Sequence, residues 1–319
     1  MQGREEALTM ETLEPTTPSP SSKAVNIDFR SPGSTPSPLA PSVSRLWRPA
    51  AQRNLRNQWS KLSSLRKEWN SSSSNGRSLA TSLVNTYLNE KFMPSMELGA
   101  LSDIPDIRKT ASWKLFKQFE LYWSKLLTSY KNLVAVVTQM SKVSKSMRCY
   151  LKGTGNASLV EFCSSSEDIN DSGDGGGFPV FVFRSISCFE KLSEELVQMF
   201  ILELNLKRFL VVELLSLSCE SSNVKRLNWS DELYPGEFDD LKVCNLYSEE
   251  TSGPVQPRLA VSQSDVSISR RDNRQLNHNN TMEVYLTTWL AEVNICSRRV
   301  NGIFAEIGEE IRLNILCDL

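Results

Sequence analysis

The chain has 319 residues, 40% of them hydrophobic, which is enough to build one large or two ordinary domains. Its formal net charge of -1 argues against binding of nucleic acid or anionic lipid through overall charge, so an electrostatic function requires a local excess. Seven cysteines without a CxxC spacing indicate reduced intracellular thiols rather than a disulfide framework.

Residues 1–44 are rich in proline, serine and threonine, a composition that predicts a disordered tail. The first residues are acidic and no apolar run follows them, so we expect neither a signal peptide nor a mitochondrial transit peptide, and a location in the nucleus or cytoplasm. Five Ser/Thr-Pro pairs are minimal sites for a proline-directed kinase, with acceptors Thr17, Ser19, Ser31, Thr35 and Ser37. Such pairs also arise by composition in a Pro/Ser-rich linker, but their number in one tail favours regulation.

From Pro49 to about Trp69, apolar residues recur at helical spacing, and Pro49 fits the first turn of a helix. Residues 45–68 hold seven basic side chains against one acid, the only strongly basic region that we identify. The basic residues are Arg45, Arg48, Arg53, Arg56, Lys61, Arg66 and Lys67. We treat 45–70 as a separate basic amphipathic helix. It suits an ordinary solvated face, a surface for nucleic acid, microtubules or an acidic partner, or a helix at a membrane surface.

A Ser-rich stretch ending in Asn75-Gly76 predicts the end of this helix, and a short helix follows from Ser78 to Phe92. The segment Ile104–Leu151 then predicts a long amphipathic helix with a seven-residue repeat. One apolar row is Phe119, Leu126, Leu133, Met140 and Met147, and another contains Tyr122, Ser129, Val136, Val143 and Tyr150. A third row of Phe116, Trp123, Tyr130 and Val137 widens the apolar face beyond a two-stranded seam. This width favours the interior of a helical bundle.

Residues 152–179 are acidic and glycine-rich and predict a flexible loop, whose triple glycine lacks the context of a phosphate-binding loop. The segment Ile186–Leu217 predicts a second long helix, apolar on nearly all sides. Its interspersed charged residues argue against a membrane span and favour a core helix.

Residues 218–280 predict a second flexible loop. Within it, an acidic-aromatic segment either docks on a partner or packs on its own chain, and its candidate docking residues are Trp229, Leu233, Tyr234 and Phe238. The last predicted helix, from Thr281 to about Leu316, has apolar residues or cysteine at eight successive heptad positions.

The chain has one histidine, His278, in an Asn-rich linker, which argues against histidine-based triads and multi-histidine metal sites. The sequence contains no nucleotide-binding, nucleophile-elbow or calcium-loop motif. We therefore predict no catalytic residues, no cofactor and no metal, and we predict that the protein is not an enzyme.

Together these patterns predict an all-α protein, an elongated antiparallel helical bundle over residues 77–319 with heptad-patterned helices, preceded by the basic helix and the tail. We predict a scaffold or adaptor that binds other proteins through helical faces, as a homo- or hetero-oligomer, in a cell-cycle, spindle or chromosome-associated complex. A proline-directed kinase would regulate it. The alternative is a nuclear factor that binds nucleic acid through helix 45–70. A membrane-surface protein is a more remote alternative, and no integral membrane association is expected.

Overall fold

The computed structural model describes residues 41–152, 161–163, 171–217, 227–259 and 278–317, and they are predominantly helical, with 73% helix. This agrees with the all-α prediction. The helices are α1 (Pro41–Phe92), α2 (Ile107–Lys145), α3 (Ile186–Leu215), α4 (Glu237–Val243), α5 (His278–Ala291) and α6 (Ser297–Cys317). Strand β1 (Tyr150–Lys152) pairs antiparallel with β2 (Glu161–Cys163), and β3 (Tyr247–Ser248) pairs antiparallel with β4 (Gly253–Pro254).

Helices α1 and α2 form an antiparallel hairpin, which we define as residues 41–145. Near its open end, Trp47 Nε1 donates to the carbonyl of Cys149 at 3.0 Å. Toward its closed end, the rings of Tyr87 and Phe119 lie 6.5 Å apart. Two 3₁₀ turns, Met93–Ser95 and Gly99–Leu101, connect the helices at that end. The early part of α1 therefore lies beside the late part of α2, and the late part of α1 lies beside the early part of α2.

Helix α3 packs antiparallel to α2. Trp123 Nε1 of α2 donates to the carbonyl of Leu215 at 3.0 Å, and the hydroxyls of Ser144 and Ser193 lie 2.7 Å apart at the other end. Because the C-terminus of α3 lies at Trp123, the first turns of α2 extend beyond α3 toward the closed end of the hairpin. The described core of buried apolar side chains draws on all of these helices.

Helices α5 and α6 run antiparallel to both α3 and α1. Along α3, Tyr285 donates to Glu213 at 3.2 Å and Arg299 donates to Glu195 at 2.6 Å. Along α1, Trp289 Nε1 donates to the carbonyl of Ser73 at 3.0 Å. The C-terminal helices therefore contact the first and third long helices along their length.

The predicted beginning of α1 is wrong. Pro49 lies inside the helix rather than in its first turn, and residues 41–44, predicted as part of the tail, are helical. Trp47, which precedes Pro49, is buried and is held by its hydrogen bond to Cys149. The buried indole anchors a turn of helix that the proline pattern alone would not place there.

The predicted end of the basic helix at the Ser-rich stretch is also wrong, because α1 continues through it without interruption. The carbonyl of Ser72 accepts a hydrogen bond from Ser129 of α2 at 3.2 Å, and the carbonyl of Ser73 accepts one from Trp289 of α5. Small side chains here let two neighbouring helices approach closely. The packing energy overrides the weak helix propensity of serine, asparagine and glycine.

The predicted continuous helix over 281–316 is broken between Ala291 and Ser297. Glu292 adopts a left-handed conformation with φ of 45°, which ends α5. In that position its carboxylate accepts hydrogen bonds from Trp69 at 3.2 Å and from Ser73 at 2.6 Å. The predicted heptad residues Val293 and Cys296 are consequently exposed, because the break turns them away from the core.

The first apolar row predicted for the segment Ile104–Leu151, which runs from Phe119 to Met147, is buried throughout. The third row is buried only in its second half, since Tyr130 and Val137 are buried whereas Phe116 and Trp123 are half-buried. The helix is shorter than predicted at both ends, spanning Ile107–Lys145 instead of 104–151.

Two described stretches within the predicted flexible loops pack against the helices, and the flexibility of these loops stays a prediction. Residues 171–177 pack against α1, and Gly175, with φ of 68°, lies so close to the Trp47 ring that a Cβ there would be 2.2 Å from it. Residues 227–259 contain α4, β3 and β4, and bury Leu241, Cys244 and Leu246. The second stretch therefore contributes to the hydrophobic core, whereas the first contacts α1 at its surface.

Candidate functional site

Three of the seven basic residues predicted as a binding site in the first helix make contacts within the chain. Arg48 donates to the carbonyls of Val180 and Phe181, and the guanidinium of Arg56 lies 5.2 Å from the centre of the Phe181 ring. Arg66 donates to Asn301 at 2.7 Å and lies over the ring of Phe304. These arginines fasten the segment before α3 and helix α6 to α1.

Arg53, Lys61 and Lys67 are exposed, and among the described residues they have no hydrogen-bond or ion-pair partner. The side chain of Arg45 lies outside the described part of the chain. The predicted phosphorylation acceptors Thr17, Ser19, Ser31, Thr35 and Ser37 also lie outside the described residues. The structure thus leaves three of the predicted basic residues available on the outer face of α1.

Helix α2 is a second basic helix that our sequence analysis missed. Residues 107–145 contain eight Lys and Arg against one acidic residue, Glu120. Within it, residues 108–131 hold six basic residues against one acid, nearly the same excess as the seven against one in 45–68. A count over the whole amphipathic segment would have found them.

The two basic helices pair with each other, and this segregates charge within the fold. The hairpin holds 17 Lys and Arg and six Asp and Glu, a net charge of +11, whereas residues 146–319 hold 16 and 26, a net charge of -10. Lys109, Lys114, Lys117, Lys125 and Lys131 of α2 are all exposed. A chain with a net charge near zero therefore presents a strongly basic hairpin to solvent.

The closed end of the hairpin adds exposed apolar side chains to this basic surface. Trp113 is 60% exposed and Leu121 is 48% exposed, and Leu101 and Ile104 in the connection are exposed as well. An open pocket of about 570 Å³ lies here, lined by Asp106, Lys109, Thr110, Ser112, Trp113 and Phe116. Exposed aromatic and apolar residues beside a pocket are typical of protein-binding surfaces.

Trp229, Leu233, Tyr234 and Phe238, predicted as partner-docking residues, contact their own chain. Leu233 and Tyr234 are buried, and Trp229 and Phe238 are packed against the core. Trp229 Nε1 donates to the carbonyl of Pro254 at 2.9 Å. These contacts agree with the alternative in which the segment packs on its own chain. A role in partner docking stays a prediction.

Arg208 of α3 and Glu237 of α4 hold that segment in place. Arg208 donates to Glu237 through Nε at 2.8 Å and through Nη2 at 3.2 Å, and also to the carbonyls of Trp229 and Asp231. Glu237 further accepts a hydrogen bond from Tyr130 at 2.7 Å. Burial, the nearby carboxylate and this hydrogen bond raise the pKa of Tyr130 well above its usual value.

A second buried charged group joins α3 to the break between α5 and α6. Lys207 Nζ lies 3.4 Å from Glu203 and 3.7 Å from Glu292, and donates to the carbonyl of Trp289 at 2.9 Å. Burial lowers the pKa of Lys207 and raises that of Glu203, while their mutual attraction opposes both shifts. In the sequence, Lys207 and Glu203 argue only against a membrane span, and no pattern predicts that they are buried.

None of the helices within the described ranges is long and apolar enough to span a membrane. Those ranges also hold no group of three or more His, Cys, Asp or Glu side chains placed to bind a metal ion. Comparisons with protein-family models, with curated proteins and with solved structures find no match to this chain.

Proposed function

We propose that this protein is a non-enzymatic helical scaffold or adaptor whose basic hairpin binds acidic surfaces of partner proteins. The supporting observation is the segregation of charge, with +11 on the hairpin and -10 on residues 146–319. Five described charged side chains are buried, Glu203, Lys207, Arg208, Glu237 and Glu310, and each of them contacts groups of the chain itself. The exposed lysines of α2, with Arg53, Lys61 and Lys67 of α1, remain for contact with a partner.

We further propose that α1, α2, α3 and the α5–α6 segment form an elongated antiparallel four-helix bundle with heptad-like packing. The contacts between α1 and α2, α2 and α3, α3 and α5, and α5 and α1 support this arrangement. A bundle of this kind supplies a rigid support for the hairpin. Within the described residues, no helix covers the outer face of the hairpin at Lys109, Trp113, Lys117, Leu121 and Lys125.

The Ser/Thr-Pro pairs of residues 1–44 support the proposal that a proline-directed kinase regulates these interactions, because each phosphate would add about -1.5 to -2 charges. We also propose that the protein acts in a cell-cycle, spindle or chromosome-associated complex, in the nucleus or cytoplasm. The combination of Ser/Thr-Pro pairs with long amphipathic helices supports this part of the proposal.

Affinity capture of the full chain from nuclease-treated extract, followed by light scattering of the eluted species, tests the scaffold proposal. We expect a defined complex that contains at least one other protein in fixed ratio, or an oligomer of the chain itself. Elution as a single-chain species without a stoichiometric protein would contradict it.

The alternative function is binding of nucleic acid through the first basic helix. The observation that favours it is the exposure of Arg53, Lys61 and Lys67 without described partners. Fluorescence anisotropy with a labelled DNA duplex at rising salt is the test, because phosphate contacts predict a steep loss of affinity with salt. Absence of binding at low salt, or equal binding by the R53Q/K61Q/K67Q variant, would remove this alternative.

A further inference from the structure

One ridge of α2 alternates basic and apolar side chains. Lys109, Trp113, Lys117, Leu121 and Lys125 are spaced four residues apart, and all five are exposed. We call this set the hairpin-end ridge. Side chains spaced by four form one continuous ridge on a helix surface, about 24 Å long for 16 steps of 1.5 Å. Such a ridge fits into the groove between side chains of a second helix.

The apolar members of the ridge are large and open to solvent. Trp113 is 60% exposed and lies at the wall of the pocket of about 570 Å³, and Leu121 is 48% exposed two turns further along. Both lie toward the closed end of the hairpin, where α2 extends past Leu215, the last residue of α3. A partner helix laid along the ridge would bury both side chains, and the pocket has room for an apolar anchor.

The charged members determine the chemistry of the partner. Lys109 and Lys125 have no described ion pair, and Lys117 pairs only with Glu120 on its own helix, where both groups are about half exposed. Lys114 and Lys131 flank the ridge and are also exposed. A partner that matches this pattern carries Asp or Glu on either side of its apolar residues.

Building on the proposed function, we propose that the hairpin-end ridge docks an acidic amphipathic helix of a partner protein, with Trp113 and Leu121 as apolar contacts and the ridge lysines as charge contacts. The partner helix presents apolar residues at spacings of three and four, and is acidic on both flanks. The docking site is thus placed on α2, away from the basic helix 45–70.

Two other occupants fit this end of the hairpin less well. Glu97, Asp103 and Asp106 are exposed beside the ridge, and their carboxylates would repel both an anionic lipid surface and nucleic acid phosphates. Alternation of lysine with tryptophan and leucine along one ridge also interrupts the continuous row of cations that a phosphate backbone would meet. An acidic helix avoids these carboxylates when it contacts the ridge from Trp113 to Lys125, whereas a lipid surface or a duplex extends past the end of the ridge.

The test is selection of helical peptides from a random display library against the full chain, followed by measurement of the affinity of the selected peptides. We expect enrichment of peptides with a net negative charge and apolar residues at positions i, i+3 or i+4, and i+7. Their affinity falls about tenfold or more in the K109Q/K117Q/K125Q variant and in Trp113→Ala, as expected for rim charges and an aromatic anchor.

Matched variants provide the controls. R53Q/K61Q/K67Q removes the same charge from α1, and Phe183→Ala removes another exposed aromatic ring, 73% exposed in the segment before α3. Both retain peptide affinity if the ridge is the docking site. Circular dichroism and urea unfolding establish that all four proteins are folded alike.

Enrichment of basic or neutral peptides, or affinity that is unchanged in the ridge variants, overturns the ridge proposal. It is equally overturned if a labelled DNA duplex, phosphatidylserine vesicles or a second copy of the chain requires the ridge residues while acidic peptides do not. The scaffold proposal fails separately, if the captured full chain holds no stoichiometric protein. A captured protein whose binding survives the ridge substitutions would therefore leave the scaffold proposal standing and remove this inference.

Discussion

Gly76 of α1 lies directly beneath the indole of Trp289 in α5, so that a Cβ added to Gly76 would stand 2.6 Å from Trp289 Cζ2. The same indole donates its N–H to the carbonyl of Ser73, one turn earlier in α1. Trp289 is buried, and the missing side chain of Gly76 creates the space that it occupies. A stretch whose composition predicts a helix break is thus a site of close packing between α5 and α1.

Gly76→Ala should destabilise the protein by roughly 1–3 kcal/mol, because the added methyl group overpacks the contact with Trp289. This sign is the reverse of the ordinary effect, since alanine in a helix interior is favoured over glycine by about 1 kcal/mol. Urea unfolding followed by circular dichroism measures the change.

Gly302→Ala in α6 is the matched control, because no atom lies within 4 Å of the position of its added Cβ. We expect Gly302→Ala to stabilise the protein by about 0.5–1 kcal/mol. Equal effects of the two substitutions would show that Gly76 is not a packing site.

Arg208→Met should destabilise the protein by roughly 3–5 kcal/mol, since it leaves the buried carboxylate of Glu237 without its cation. Both side chains of this pair have no exposed area, and Arg208 also holds the carbonyls of Trp229 and Asp231. The segment 227–259 should become sensitive to proteolysis in the variant at concentrations of urea that leave wild-type protein intact.

Lys117→Gln provides the comparison for an exposed pair. Lys117 and Glu120 lie 2.8 Å apart but are 54% and 49% exposed, so its loss should change stability by about 0.5 kcal/mol or less. If Arg208→Met changed the free energy of unfolding as little as Lys117→Gln does, apolar contacts alone would hold the segment 227–259 in place.

The stability of the protein should fall as the pH rises from 10 to 12. Burial and the adjacent carboxylate of Glu213 raise the pKa of Tyr285 from 10.0 to about 12. Tyr234, which donates to Asp240, and Tyr130 shift in the same direction. Between the unfolded and folded pKa values the folded state binds more protons, so stability is fully present below pH 10 and is lost as the pH rises through the folded pKa.

Tyr285→Phe isolates one of these groups. The variant should be less stable than wild type by about 1 kcal/mol at neutral pH, because it lacks the hydrogen bond to Glu213. The difference should shrink as the pH approaches 12, since phenylalanine has no proton to lose. Urea midpoints of the two proteins across this range measure it, and a constant difference would contradict the assigned pKa shift. Burial lowers the pKa of Lys207 from 10.5, so the contribution of Lys207 to stability rises with pH below about 10.5. This contribution is present in both proteins and leaves the difference between them unchanged.

The long helices were predictable because amphipathic periodicity is a local property of the sequence. The spacing of Phe119, Leu126 and Leu133 predicts a buried helix face, and all three are buried. The boundaries of α3 were also predicted closely, but the start of α1, its continuation past Gly76 and the break between α5 and α6 were not, because partners distant in sequence determine them. Nothing near Gly76 indicates that Trp289 packs on it, and nothing near Glu292 indicates that Trp69 and Ser73 hold its carboxylate.

The candidate site was predictable only in its chemistry. The excess of basic residues in 45–68 indicated an electrostatic surface, but three of the arginines there serve packing, a role that depends on the positions of Phe181, Asn301 and Phe304. The ridge on α2 depends on which side chains α3 leaves uncovered. The sequence shows the lysines of α2 and predicts the end of α3 close to Leu215, but it does not show that this end lies against Trp123.

Amine-reactive cross-linking and mass spectrometry of the complex captured with the full chain test directly whether the basic hairpin is the partner-binding surface. We expect cross-links to the partner at lysines of the hairpin, foremost Lys109, Lys114, Lys117 and Lys125. Cross-links to the partner at Lys191 and Lys242 instead, with hairpin lysines joined only to residues of their own chain, would contradict it.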